Sequence, residues 1–161
     1  MRPILILALP ALVLAACSDG GEATRDVEMG APEAPPSTAP LVLNDVALDQ
    51  PLAVLGTEPF WSVRIRPDGI EYDGVDRPLR RGANPGPTVQ GTTAVWATAT
   101  EDGQTLVVTL AATPCSDGMS DRAYPLTAQV EVGAETLNGC AAPQSLIDTT
   151  DETGQPKAAT S

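Results

Sequence analysis

Two carboxylates, two hydroxyls, a thiol and a guanidinium fall together in the run Cys115-Ser116-Asp117-Gly118-Met119-Ser120-Asp121-Arg122. Asp117, Ser120 and Asp121 offer the oxygen ligands that Ca²⁺ prefers, but the segment lacks the 12-residue spacing and closing Glu of an EF-hand loop. Asp117 and Asp121 could serve as paired carboxylates for glycoside chemistry only by flanking a cleft at a defined separation, which one short loop does not establish. The simpler expectation is a pinned loop in which Asp117 caps backbone N–H groups and Asp121 or Glu58 pairs with Arg122. A second segment, Gly56-Thr57-Glu58-Pro59-Phe60-Trp61, sets a carboxylate beside an aromatic ring, a pairing suited to a cationic or mixed ligand. Strand alternation puts Trp61 in the core with Val63 and Ile65 and turns Phe60 the other way. There Phe60 is expected to cover a second apolar layer or a barrel bottom. Glu58, Phe60, Asp117, Asp121 and Arg122 are the candidate binding patch.

Composition narrows the chemistry further. Histidine is absent and Lys157 is the only lysine, which removes the commonest general base, the commonest zinc ligand, Ser-His and Cys-His pairs and Schiff-base lysines. There is no G-x-S-x-G elbow, no phosphate-binding G-x-x-x-x-G-K-[ST], no dinucleotide G-x-G-x-x-G and no C-x-x-C-H haem site. No catalytic residue, metal or cofactor is therefore assigned, and a non-enzymatic role is expected. The net charge of -12, from 21 acidic against 9 basic residues, argues against nucleic acid, whose phosphates need clustered Lys and Arg. An acidic surface resists aggregation and would also suit a cationic partner.

The N-terminus reads as an export signal. Arg2 is a minimal positive region, Pro3 to Leu14 is apolar over the length of a signal-peptide core, and small residues precede Cys17. Leu14-Ala15-Ala16-Cys17 resembles the lipobox of bacterial lipoproteins, which implies cleavage after residue 16 and acylation of Cys17. Two or three acyl chains, at about 0.8 kcal/mol per buried methylene, hold persistently where one holds weakly. Ser18, rather than an aspartate, follows the cysteine, and by resemblance to the Gram-negative sorting pattern this implies the outer membrane, with the domain facing the periplasm. With Cys17 spent on lipid, Cys115 and Cys140 remain as an even pair in an oxidising compartment. They are expected to form a disulfide worth roughly 3.5 kcal/mol at best.

The elements that position these residues have a period of two rather than 3.6. Trp61, Val63 and Ile65 alternate with Ser62, Arg64 and Arg66; Pro67-Asp68-Gly69 offers a turn; Ile70 and Tyr72 alternate with Glu71 and Asp73. This hairpin would bring Arg64 and Arg66 near Glu71 and Asp73. Thr93 to Thr100 with Leu106 to Leu110, and Leu126 to Val132 with Thr136 to Cys140, make two more. Only a short turn near Gln144 to Asp148 suggests helix. The expected fold is all-β, a small antiparallel meander forming a sandwich or closed barrel of about seven or eight strands with one disulfide. The boundaries are a signal peptide over 1–16, a Pro-rich acidic tether from Cys17 to Pro40, a β domain over 41–148 and a loose tail over 149–161.

The G-x-E-P-F-W segment, the C-x-D-x-M-S segment and the closing Gly139-Cys140 resemble a family of uncharacterised bacterial envelope lipoprotein domains. The likeness runs from about Leu55 to Ala141, with Thr57 where many members carry Asn. Relatives sometimes accompany META-type or lysozyme-inhibitor-like modules, so the resemblance implies an envelope setting rather than a reaction. The expected function is a lipid-anchored binding or structural module for an envelope protein, glycan or small ligand. The alternative is an acidic inhibitor of a cationic cell-wall hydrolase, and after it a carboxylate-dependent hydrolase.

Overall fold

The period-two segments become strands of one long antiparallel sheet. A computed structural model of the chain describes residues 40–157; the expected signal peptide, Cys17 and the tether as far as residue 39 lie outside them. β1 (Val42–Leu43) and β2 (Val46–Ala47) make a two-stranded ribbon. β3 (Leu52–Thr57), β4 (Phe60–Arg66), β5 (Gly69–Gly74), β6 (Arg77–Gly82), β7 (Thr88–Gln90), β8 (Thr93–Ala99), β9 (Thr105–Ala111), β10 (Leu126–Val132) and β11 (Glu135–Pro143) form a nine-stranded sheet. Its order is β6-β5-β4-β3-β11-β10-β9-β8-β7, and the short helix α1 (Gln144–Thr149) follows β11.

This order forces curvature. β6 and β7 are opposite edges of the sheet, yet only residues 83–87 join them, a connection that reaches roughly 20 Å when fully extended. The sheet accordingly curls into a half-barrel. At its seam Gly82 bridges Thr100, the Glu101 N–H donates to the Arg81 carbonyl at 2.8 Å, and Arg80 pairs with Asp102 at 3.0 Å. The all-β antiparallel meander expected from the alternation is found, as one curled sheet rather than two packed ones. Its strands outnumber the expected seven or eight because Arg77–Gly82 carries little apolar alternation and β7 is only three residues long.

Alternation sorts the side chains as the sequence predicts. Val54, Val63, Tyr72, Trp96, Val108 and Val130 are among the fully buried residues of the concave face, and Leu43 and Val46 of the ribbon join the same core. The Tyr72 hydroxyl and the Trp96 indole N–H are buried there without a protein partner. The β4–β5 turn is one residue tighter than its sequence suggests: Arg66 faces Gly69 and Asp73 faces Ser62. Only Arg64 meets Glu71, at 3.2 Å, and Glu71 also takes Arg81 of β6 at 3.0 Å, so a single carboxylate ties three strands. Gly69 does not use a positive φ; a Cβ there would stand 3.1 Å from the Gly82 carbonyl, a close approach of β6 that favours glycine.

A smaller cluster lies apart from that core. Tyr124, Cys140 and Ala142 are buried with Leu55, Cys115, Leu146 and Ile147 packed on them. The disulfide joins Cys115 to Cys140 with Cα atoms 5.5 Å apart, and Cys115 also bridges Tyr124, which closes the 115–124 loop at both ends. The stretch from Thr149 onward, expected as a loose tail, is a built turn as far as Lys157. Thr150 bridges Pro156, and the Asp151 carboxylate accepts the Thr153 and Gln155 N–H groups. Local carboxylate chemistry makes this turn, so it leaves no hydrophobic period to read.

Candidate functional site

Trp61 decides the shape of the site. Its indole lies across the strand neighbours on the concave face, and a Cβ at Gly56 would overlap its Nε1. A Cβ at Gly139 would collide with the Leu55 carbonyl and stand 2.9 Å from the indole Cζ2. The glycines that begin the G-x-E-P-F-W and G-C motifs are thus the seat of the motif tryptophan. With Trp61 buried across β3 and β11, the two-residue turn Glu58-Pro59, whose peptide bond is cis, carries Phe60 to the rim of the half-barrel.

The disulfide-closed loop is brought against that rim by Thr57, whose hydroxyl donates to the Asp117 carbonyl at 3.3 Å. Between them lies a groove of about 300 Å³, lined by Thr57, Phe60, Trp61, Asp117, Met119 and Arg122 among others. Phe60 is 54% exposed and Met119 66%, although both are large and apolar. Phe60 therefore covers neither a second apolar layer nor a barrel bottom. On its other side Phe60 lines a shallower depression with Asp73 and Val75, the latter 56% exposed.

The Asp117 and Arg122 side chains that line the groove are engaged in internal hydrogen bonds. Asp117 Oδ1 accepts the N–H groups of Met119 (3.0 Å) and Ser120 (2.8 Å), and Oδ2 accepts the hydroxyls of Ser120 and Tyr124, both at 2.8 Å. Burial by itself would raise the Asp117 pKa; these bonds, the Ser120 and Met119 N–H groups foremost, outweigh it and hold the carboxyl at about 2. Such a group has no proton to give near neutral pH and is a poor base. Arg122 donates to Thr150 Oγ1 (3.1 Å), to the carbonyls of Thr150 (2.9 Å) and Asp151 (2.8 Å), and to the Tyr124 hydroxyl (3.3 Å). Its guanidinium also stands 5.9 Å from the Tyr124 ring centre.

Of the five patch residues expected from sequence, Phe60, Asp117 and Arg122 meet at this groove, while Glu58 and Asp121 are exposed beside it. Asp117 caps backbone N–H groups as expected. Arg122 does not pair with Asp121 or Glu58: the carbonyls of the 149–157 turn take its donors instead, because that turn is folded onto it. Sequence reading missed Thr57, Met119, Tyr124 and Glu152 as groove residues. Only the M of the C-x-D-x-M-S run, an apolar residue in a polar loop, hinted at one of them.

Elsewhere, a groove of about 360 Å³ at the β6–β8 seam is lined by Arg66, Glu71, Arg81 and Glu101, and its Glu71 and Arg81 neutralise each other. No cluster of three or more Cys, Asp or Glu side chains suited to holding a metal occurs among the described residues. Comparison of the chain with family models, with curated proteins and with solved structures found no match.

Proposed function

We propose that this chain is a lipid-anchored envelope lipoprotein, held at Cys17 to the outer membrane, whose periplasmic β domain is a non-enzymatic binding module. The observation that carries the binding role is the contrast within the groove. The Asp117 carboxylate and Arg122 guanidinium are saturated by internal hydrogen bonds, while Phe60 and Met119, which gain nothing from water, stand open over about 300 Å³. Polar groups fixed in this way shape a surface; exposed apolar groups on a rigid frame are what association uses. The lipobox at Leu14 to Cys17 supports the anchor, and the disulfide is consistent with an oxidising compartment.

The test is capture from envelope extract on the full-length chain, wild type against the double variant Phe60→Ala with Met119→Ala. Both side chains are exposed, so the variant should stay folded, with stability changed by about 0.5 kcal/mol or less. A component retained by wild type and lost by the folded variant is the expected result; equal capture by both removes the groove from the binding role. The net charge of -12 favours a second reading, an inhibitor of a cationic cell-wall hydrolase. Lysozyme activity unaffected by the chain at low salt, where attraction is strongest, would eliminate it.

A further inference from the structure

Acidic side chains predominate around the apolar rim. Phe60 joins two depressions, one shared with Met119 and the other with Val75, so the three exposed apolar side chains border one continuous end of the half-barrel. Asp73 lines the second depression, Glu152 the first, and Glu58 and Asp76 occupy the turns that carry Phe60 and Val75. All four carboxylates belong to exposed residues, and none has an ion-pair partner among the described residues. Arg122, the one cation in the linings of these two depressions, has its donors turned inward to Thr150, Asp151 and Tyr124. An incoming group therefore meets apolar surface at the centre and a surround in which carboxylates outnumber cations, since Arg77 beside Asp76 is already paired with Glu135.

We propose that this end docks a basic segment of another protein, which buries an apolar side chain against Phe60 and Met119 while its Lys or Arg side chains face Glu58, Asp73, Asp76 and Glu152. The inference rests on reading the groove as a binding face and adds the chemistry of its occupant. The apolar contact supplies affinity, and the carboxylates supply selection by sign and a faster encounter.

Trp61 makes the site measurable, because it lines the groove and the chain's other tryptophan, Trp96, is fully buried in the core. The experiment titrates the full-length chain, anchored in neutral phosphatidylcholine vesicles, with three capped peptides of equal length: alternating Lys and Leu, alternating Glu and Leu, and alternating Lys and Ser. The Lys–Leu peptide is expected to shift Trp61 emission saturably, to bind about tenfold more tightly than either control, and to weaken as salt rises. Binding should be lost in Phe60→Ala with Met119→Ala, and weakened in Asp73→Asn with Asp76→Asn and Glu152→Gln, at unchanged melting temperature. Equal binding of the Glu–Leu peptide, binding indifferent to the Phe60 and Met119 substitutions, or no binding of the Lys–Leu peptide would overturn the inference. If envelope capture still depends on Phe60 and Met119 in any of those cases, only the basic partner falls; if it does not, the binding-face reading falls with it.

Discussion

Asp117 shows how a residue whose type invites a catalytic reading is used for structure. Its folded pKa of about 2 lies below the ordinary 3.8, so its contribution to stability is fully present above pH 3.8 and is lost as the pH falls toward 2. After allowance for solvent screening, that contribution is on the order of 1–2 kcal/mol. Asp117→Asn should lower the melting temperature at neutral pH and flatten its fall over that acid window, as a series of thermal melts at graded pH would reveal. A wild-type curve that keeps the same slope in the variant would show the hydrogen bonds to be weaker than their geometry implies. The motif glycines make a second prediction at this scale. Gly139→Ala meets backbone, the Leu55 carbonyl, and should cost more than Gly56→Ala, whose nearest contacts are all on the Trp61 side chain. Denaturant unfolding of both variants orders them. The sequence marked Trp61 as core by its place in the alternation and marked Asp117 as a cap by its loop chemistry. It could not show that Gly56 and Gly139, far apart in the chain, seat the same indole, because that contact exists only once β3 and β11 are paired.

Among the elements, strands with a clear period of two were legible and those without it were not. β4, β8, β9 and β10 bury every second residue along much of their length. β6 is bounded by charge pairing and by its seam contacts with residues 100–102, which no local pattern encodes. The tightest constraint on the site is the 115–124 loop, fixed at one end by the Cys115–Cys140 bond and inside by Asp117. Replacing both cysteines by alanine should cost at most about 3.5 kcal/mol on the chain-entropy estimate, read as a lower denaturation midpoint. It should also loosen the Met119 side of the groove. A double variant as stable as wild type would mean that the Asp117 network alone holds the loop.

At the scale of the molecule, a curled sheet with a filled concave face leaves exposed apolar side chains at the rim, where loops end and side chains are not needed for the core, and the proposed binding role rests on them. Its acidity was read directly from composition, and the proposed export signal rests on the N-terminal sequence, outside the described residues. The meeting of Phe60 and Met119 was not legible in the sequence, because it depends on Thr57 holding the disulfide loop against the β3–β4 turn. Cys17→Ala should move the full-length chain from the membrane pellet to the soluble fraction and abolish incorporation of labelled palmitate. Membrane retention of that variant would remove the lipid anchor. The binding role is tested most directly by a photo-reactive side chain at position 60 in the full-length chain, compared with the same group at Gln90, an exposed residue of β7 that lines neither depression beside Phe60. A discrete adduct from position 60, lost when Met119 is replaced by alanine and absent from position 90, is the expected result. No adduct, or the same adducts from both positions, would contradict a binding face at this rim.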